Sequence, residues 1–273
     1  MSYIYCEASI LHFYIDYLHS INQYYSLIFV TNINDIKDYI LKNIYDKIIF
    51  IREIPDELHI HITDFTNIYV LNTEQLSTIK YVDKFLDNNI KIIDYSSANI
   101  EYIDTKYKEL GLVSYLPYMI NKNEIYDYPK ISDVAVIGWW NSEHRMNITN
   151  KLIERGVNVS FISGFGHTRD EQLFAHKILL NIHYNETYKV FEQMRCNRCI
   201  FNKMIVISET SVDKKFELDK YMIESPYEEL VEKVIYSLAN YNEIYDELFC
   251  NFNLDDIHEK YYNTQTIFVG LTL

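Results

Sequence analysis

Short apolar runs alternate with amphipathic segments from one end of the chain to the other. Runs such as KIIFI and IKIID, rich in β-branched residues, predict buried strands, and NDIKDYILKN, with apolar residues three or four positions apart, predicts a helix. In the first half we expect strands at SYIYC, SLIFVT, KIIFI, NIYVL, IKIID and LVSYL, with a further helix at STIKYVDKFLDNN. This alternation predicts βαβ units on a parallel sheet that carries helices on both faces.

The alternation is interrupted once, near the middle of the chain. The segment LPYMINKNEIYDYPKIS holds two of the four prolines and shows no periodicity, which is typical of a linker. Beyond it we expect strands at DVAVIG, VNVSFIS, ILLNIH, MIVIS and YMIE, helices at about 142–155, 168–177, 187–200 and 226–240, and two closing helices. We therefore predict two Rossmann-like domains, residues 1–120 and 133–262, joined by a linker, 121–132, and followed by a tail, 263–273.

Composition and charge narrow the class of protein. The chain has 273 residues, of which 48% are hydrophobic and 23% charged, as is ordinary for a soluble globular protein. Its apolar runs are too short to span a bilayer, and its N-terminus lacks the features of a signal peptide, so we expect a cytoplasmic protein. The net charge of −14 argues against a nucleic-acid partner. A local excess of positive charge at residues 187–205 favours a small anion instead.

Cysteine and histidine spacing gives little support to a metal site. Cys196 and Cys199 form a C-x-x-C, but neither a second pair nor an H-x-x-x-H motif accompanies them. We expect buried free thiols, since free cysteine is among the most buried residue types. His59 and His61 would alternate along one strand face and could hold a metal. No third ligand is evident, so hydrogen-bonded histidines are the favoured interpretation.

Two glycine turns follow strands in the second half. Gly138 ends the strand VAVIG ahead of a helix, where the backbone can approach a ligand, the helix N-terminus attracts an anion and Arg145 lies within reach. A plain tight turn explains Gly138 equally well. Gly164 and Gly166 begin like a dinucleotide fingerprint, but Arg169 stands in place of its third glycine. This turn also suits a nucleotide base lying against the backbone.

The run HYNETYKVFEQMRC, which begins at the end of the strand ILLNIH, gives the most information about function. If a helix spans 187–200, Lys189 and Glu192 lie on one face near its N-terminus, while Val190 and Phe191 can face the sheet. A helix N-terminus with a lysine suits a diphosphate, and a carboxylate one turn later can accept hydrogen bonds from ribose hydroxyls. The alternative is an ordinary surface ion pair.

This run, together with the strand MIVISE, resembles the donor-nucleotide segment of GT-B glycosyltransferases. The likeness covers about residues 133–210 and is to group 1 and CgeB-like members, especially small glycosyltransferases of large DNA viruses. In that family a basic residue followed by Val-Phe-Glu opens the helix, and the glutamate, here Glu192, binds the ribose. Two features depart from the family pattern: the usual glycine before the next strand is absent, and the first glutamate of the E-x7-E pair falls on Tyr184.

The resemblance implies a donor site in the second half. The diphosphate would be held by Lys189, Arg145 and helix N–H groups, and His183 would face the transferred sugar. The implied donor-site residues are Gly138, Trp139, Asn141, Arg145, Gly164, Phe165, Gly166, His183, Tyr184, Lys189, Val190, Phe191 and Glu192. No Asp-x-Asp occurs in the chain, so we expect transfer without a metal, with positive groups neutralising the leaving diphosphate.

The first half would bind the acceptor. Glu74 follows the strand NIYVL and Asp94 closes IKIID, so both can project from the carboxyl edge of the sheet. Glu74 is the preferred candidate for a catalytic base or acceptor contact, with His183 as the second candidate. The alternative for Glu74 is a carboxylate that favours a helix start. Arg52 and Glu53, which follow KIIFI, are expected to pair with each other.

These features predict a hexosyltransferase-like GT-B enzyme. It would move a sugar from a UDP- or GDP-sugar to a hydroxyl of a glycan, a glycoprotein or a small molecule, without a cofactor and without a membrane span. A viral origin would place it in the host cytoplasm. Two other functions stay open: a non-catalytic protein that binds a sugar nucleotide, and a dinucleotide-dependent oxidoreductase.

Overall fold

Two compact units make up the chain, the first over Met1–Tyr118 and the second over Met119–Thr264. The structure is a computed structural model that describes residues 1–62, 64, 66–77, 81–119, 121–212 and 218–265, apart from the side chains of residues 23–25 and 261–265. Each unit holds one sheet of parallel strands with helices around it. The predicted α/β class with two parallel sheets is confirmed.

The first unit contains a six-stranded sheet in the order β2-β1-β3-β4-β5-β6. Every neighbouring pair of strands is parallel. The strands are β1 (Ser2–Tyr5), β2 (Ile28–Val30), β3 (Lys47–Ile51), β4 (Ile68–Asn72), β5 (Lys91–Asp94) and β6 (Val113–Tyr115). The helices are α1 (Leu11–Tyr25), α2 (Ile33–Lys42), α3 (Asp56–His59), α4 (Asp83–Leu86), α5 (Ser97–Tyr102) and α6 (Thr105–Glu109).

The second unit contains a five-stranded parallel sheet in the order β11-β10-β9-β7-β8. Its strands are β7 (Ser132–Ile137), β8 (Val159–Ile162), β9 (His176–Asn181), β10 (Ile205–Glu209) and β11 (Ile223–Ser225). Its helices are α7 (Glu143–Glu154), α8 (Gly166–Leu173), α9 (Gln193–Phe201), α10 (Leu230–Ala239), α11 (Tyr241–Phe249) and α12 (Leu254–Gln265). Short 3-10 turns lie at Lys122–Glu124, Leu218–Tyr221 and Tyr227–Glu229.

Both sheets place their first strand between their second and third, which is the flavodoxin-like order of doubly wound folds. The connections therefore leave the first and third strands in opposite directions, and a crevice opens at the carboxyl ends of these two strands. In the second unit this switch point lies between β7 and β9. A ligand site is expected there.

Burial on both faces explains why the strands read as continuous apolar runs. In β3, the residues from Ile48 to Ile51 are all buried, and β10 is buried along its whole length. Helix α2 buries one face, with Ile36 and Ile40 as its buried residues, whereas α9 is buried over most of its length. Within the part of the chain that the structure describes, no helix has the length and apolar character needed to cross a membrane.

Three local predictions are wrong or only partly met. The helix expected from residue 187 begins at Gln193, so residues 182–192 form an irregular connection between β9 and α9. His59 ends the short helix α3 and His61 lies in the following turn, so they do not alternate along a strand. The expected helix in STIKYVDKFLDNN is seen as the four-residue α4, while residues 78–80 lie outside the described residues.

Candidate functional site

The candidate site lies at the carboxyl ends of β7, β9 and β10 in the second unit. These strands are adjacent and parallel, so Gly138, Asn181 and Glu209 come to the same edge of the sheet. The helix α7 starts just after β7, and Ser142 caps it by accepting the backbone N–H of Arg145. The edge therefore combines a switch point with the N-terminus of a helix, a combination that suits an anion.

Arg195 crosses the switch point from the first turn of α9. Its Nη1 donates to Asn181 Oδ1 at 3.2 Å. Its guanidinium also lies against Gly138, where an added Cβ would come within 3.2 Å of the Cζ atom. Gly138 has a φ of +102°, which side-chain-bearing residues rarely adopt. Glycine therefore suits this position both for its backbone conformation and for the close approach of Arg195.

Glu192 immediately precedes α9 and pairs with the same arginine. Its Oε2 lies 3.4 Å from Nη2 of Arg195, and the two side chains are 28% and 20% exposed respectively. Both groups thus remain open to solvent at the edge of the sheet. An ion pair this accessible can be opened by a ligand without the cost of a fully buried pair.

The predicted arrangement of Lys189 and Glu192 on one helical face is wrong. The chain is not helical there, because Asn185 Oδ1 accepts the backbone N–H of Thr187 at 2.9 Å and so offers the backbone a turn in place of a helix. The Lys189 side chain is exposed on this connection, whereas Phe191 is buried. The basic group beside Glu192 is Arg195, which follows it in the sequence, and not Lys189, which precedes it.

Arg145 contributes a buried positive charge. Its side chain donates from Nε to the Ile182 carbonyl at 2.9 Å and from Nη1 to the Trp139 carbonyl at 2.6 Å. Burial, and next the nearby charge of Arg195, lower the pKa of Arg145 to about 10, so it stays charged at neutral pH. Among the described residues, no carboxylate lies within ion-pair distance of this guanidinium. Arg145 and Arg195 therefore bring two positive charges to this edge, beside the carboxylates of Glu192 and Glu209.

Glu209 is a site residue that the sequence analysis missed. It ends β10, and its Oε2 accepts the backbone N–H of His183 at 3.0 Å. Both of its carboxylate oxygens lie 3.1 Å from Nε2 of His144, whose ring stacks on Tyr227 at 3.9 Å between centroids. The signal that could have found it was the Ser-Glu ending of the strand MIVISE, an acid at the end of a buried strand.

His183 lies just beyond the end of β9, and its side chain is buried. Its Nε2 is 3.1 Å from the Thr210 carbonyl, which can only accept, so Nε2 carries the proton. Burial lowers the pKa of His183, which keeps the ring neutral at pH 7. The neutral ring then has one unprotonated nitrogen, Nδ1, that can accept a proton.

The remaining predicted donor-site residues lie on the connections around this edge. Tyr184 is partly exposed, and the Cζ atom of Arg145 lies 5.8 Å from the centre of its ring. Trp139 and Asn141 are exposed between β7 and α7, and Val190 is buried beside Phe191. The turn of Gly164, Phe165 and Gly166 follows β8, the neighbour of β7, and both of its glycines have positive φ.

In the first unit, Glu74 pairs with Arg52 rather than Arg52 with Glu53. The Arg52 Nε atom lies 3.3 Å from Glu74 Oε1, because the ends of the adjacent strands β3 and β4 bring the two side chains together. Arg52 has a φ of +68°, an uncommon conformation for a residue with a side chain. Asp94, which was expected to project from the sheet, is fully buried and accepts hydrogen bonds from Asn72 and from the Ser96 backbone.

The four cysteines are all free thiols. Cys6, Cys196 and Cys199 are buried free thiols, and burial raises the pKa of Cys199 to about 12. Cys250 is exposed. In the described ranges, no group of three or more His, Cys, Asp or Glu side chains is placed to hold a metal ion.

Comparison of amino-acid sequences finds relatives in Acanthamoeba polyphaga mimivirus. The uncharacterized protein L140 is 32% identical over 262 residues, which cover 90% of this chain and 83% of L140. The uncharacterized protein R358 is 31% identical over 194 residues, covering 68% of this chain and 67% of R358. The uncharacterized protein L137 is 31% identical over 267 residues, and the chain spans only 34% of its length. No model of a known protein family matches the chain.

Several solved structures share the fold. A glycosyltransferase from Rickettsia africae ESF-5 matches with a TM-score of 0.59 at 10% identity, over 99% of this chain and 98% of its own. TarM matches with a TM-score of 0.55 at 14% identity, over 86% of this chain and 57% of its own. At such low identity the likeness establishes the fold alone, and that fold is the two-sheet α/β fold of these proteins.

Proposed function

The chain belongs to the family that contains the mimivirus proteins L140 and R358, and we propose that it is a glycosyltransferase that uses a nucleotide-diphosphate sugar. The observation that carries the proposal is Arg195, which pairs with Glu192 and lies against Gly138 at the switch point of the second sheet, in a fold shared with solved glycosyltransferases.

In the proposed donor complex, Arg195 and the helix N-termini at this edge hold the diphosphate. Arg145 adds positive charge from beneath and fixes the Trp139 and Ile182 carbonyls, so it keeps the two flanking connections in place. Glu192 accepts hydrogen bonds from the ribose hydroxyls once the ligand has drawn Arg195 to the phosphates. Lys189, exposed on the same connection as Glu192, is a further proposed contact for the diphosphate. These positive groups would stabilise the leaving diphosphate, so the proposal requires no metal.

His183 is the proposed group nearest the transferred sugar. Its Nε2 is held by the Thr210 carbonyl and its backbone N–H by Glu209, so the ring is fixed with Nδ1 as its proton acceptor. Glu74 of the first unit is the proposed contact for the acceptor hydroxyl, oriented by Arg52. A glycan, a glycoprotein or a small molecule with a free hydroxyl could serve as the acceptor.

Thermal unfolding with a panel of nucleotides tests the donor class. We expect UDP or GDP, at about 100 times its dissociation constant, to add about 2.7 kcal/mol to the free energy of unfolding. ADP and NADH serve as controls, since a response to NADH alone would point to an oxidoreductase. Slow hydrolysis of the matching sugar nucleotide, measured as the release of free nucleotide, would distinguish an enzyme from a protein that only binds the nucleotide. If no nucleotide of the panel raised the free energy of unfolding, the proposed function would be wrong.

Exchanging Gly138 for alanine tests whether the approach of Arg195 matters for binding. Gly138→Ala and Gly156→Ala both place a side chain at positive φ, at φ +102° and φ +83°, so each is expected to lose about 1–2 kcal/mol of stability. Only Gly138 has a guanidinium against it, whereas nothing lies within 4 Å of the position of a Cβ on Gly156. We expect Gly138→Ala to weaken nucleotide binding about tenfold in calorimetry, a change of about 1.4 kcal/mol, with Gly156→Ala unchanged. Equal affinities would show that the close approach of Arg195 to Gly138 does not matter for binding.

A further inference from the structure

A concave pocket with a volume of about 590 Å³ opens in the second unit, away from the candidate site. Its walls come from residues 125–130, which precede β7, from 201–203, which precede β10, and from α11, α12 and their connection. The pocket therefore lies at the amino ends of these strands, and the candidate site lies at their carboxyl ends. Strands of five or six residues separate the two edges by about 17–20 Å, so one small ligand cannot occupy both.

The lining combines aromatic rings with polar groups that carry no net charge. The aromatic residues are Tyr126, Tyr128, Phe201, Tyr245 and Phe252. The charged residues are two acids and two lysines, namely Asp127, Asp256, Lys130 and Lys203. The charges of the lining balance, so the pocket has no electrostatic preference for an anion.

The two lysines contact aromatic residues, and two of the tyrosines pack against each other. The Lys203 Nζ lies 5.7 Å from the centre of the Phe252 ring, and the Lys130 Nζ donates to the Phe174 carbonyl at 2.6 Å. Tyr126 and Tyr128 stand side by side with ring centroids 5.5 Å apart, and both are half-buried. Such a surface offers apolar faces for C–H groups and hydrogen-bonding groups around them.

We propose that this pocket binds a neutral saccharide of one or two rings. A sugar ring has an apolar face of C–H groups and a rim of hydroxyls, which matches a lining of tyrosine rings together with polar groups such as Asp127 and the Tyr245 hydroxyl. The volume lies within the range of small-molecule sites. The site is separate from the proposed donor site, and the proposal stands whether or not the chain transfers sugars. A proline-rich peptide, which also favours aromatic walls, is the rival occupant.

The exposed thiol of Cys250 lines the pocket and reports on its occupancy in the unaltered chain. The other three thiols are buried, so iodoacetamide should alkylate Cys250 first, and Cys250→Ser identifies the signal in mass spectrometry. The probes are glucose, N-acetylglucosamine, maltose and chitobiose, with hexaproline as the peptide probe. A sugar at nine times its dissociation constant should slow alkylation about tenfold, since about one-tenth of the sites stay empty.

Three variants place the binding in the pocket. Tyr128→Ala should weaken the affinity about tenfold, so that the same sugar concentration slows alkylation only about twofold. Tyr128→Phe should retain the full protection, because the ring rather than the hydroxyl supplies the face. Tyr236→Ala, which removes an exposed tyrosine of α10 outside the pocket, should change nothing. A Glu192→Gln chain should keep full protection, which separates this site from the donor site. Absence of protection by any of the sugars, protection by hexaproline alone, or loss of protection in Glu192→Gln would each overturn the proposal.

Discussion

Replacing Asp170 by alanine is expected to lower the free energy of unfolding by about 3–5 kcal/mol, because it removes the buried carboxylate that two buried arginines share. Asp170 accepts from Nη1 and Nη2 of Arg198 at 2.6 and 2.7 Å, and from Nη2 of Arg169 at 2.7 Å. All three side chains are buried in the second unit. Glu124 completes the group by accepting from Arg198 Nε at 2.8 Å. Urea denaturation of the whole chain measures the loss.

The matched control is Glu232→Gln, which breaks an exposed ion pair with Arg155. That pair is open to solvent, with side chains 53% and 68% exposed, so its loss should cost less than about 1 kcal/mol. If Asp170→Ala cost no more than this control, the buried cluster would not stabilise the fold.

The same cluster fixes the direction of the pH dependence. Burial alone would raise the pKa of Asp170, but the hydrogen bonds and charges of Arg198 and Arg169 outweigh it and hold the pKa below its ordinary value. The stability that this carboxylate supplies is therefore fully present above the unfolded-state pKa, about 3.9. It should be lost as the pH falls from there through the lower folded-state value.

Replacing Glu192 by alanine is expected to weaken nucleotide binding by about 1–3 kcal/mol, the range of a hydrogen bond to a charged group. In the proposed complex, Glu192 exchanges Arg195 for the ribose while Arg195 takes the diphosphate. Each single variant then removes a ligand contact, but it also frees its partner from the ion pair. Calorimetry with UDP and GDP measures the affinity of each variant.

A double-mutant cycle of Glu192→Gln and Arg195→Gln tests this exchange. The two losses should not add, because the side chains contact each other at 3.4 Å and share the ligand. Glu186→Gln, an exposed acid on the same connection, is the control and should leave affinity unchanged. Strict additivity, or equal losses for Glu186→Gln and Glu192→Gln, would mean that Glu192 does not hold the ribose.

The sheets could be predicted from the sequence because each strand is locally encoded. A parallel strand buried on both faces needs an unbroken apolar run, and runs such as KIIFI and MIVIS carry that signal without help from distant residues. Gly138 was found for a similar reason, since a glycine that ends such a run marks a place where the backbone turns. The fold class follows from the order of these local signals.

The contacts within the site could not be predicted in the same way. The start of α9 depends on a side-chain turn at Asn185 and on burial of Phe191, which compete with a helical pattern that looks regular in the sequence. The partners of Glu209 and Arg198 lie 26 to 74 residues away in the chain, so only the tertiary structure brings them together. Sequence spacing favoured Lys189 near Glu192, where the structure places Arg195.

In the connection after β4, hydrogen bonds fix the backbone of Glu74 in the chain without a ligand. The Glu74 backbone N–H donates to Asn72 Oδ1, and its carbonyl accepts from the side-chain amides of Asn72 and Asn99, each of which also donates to the buried Asp94. Such bracing removes conformational freedom from the loop when the chain folds. An incoming molecule that meets this carboxylate would therefore lose little affinity to the entropy of ordering it.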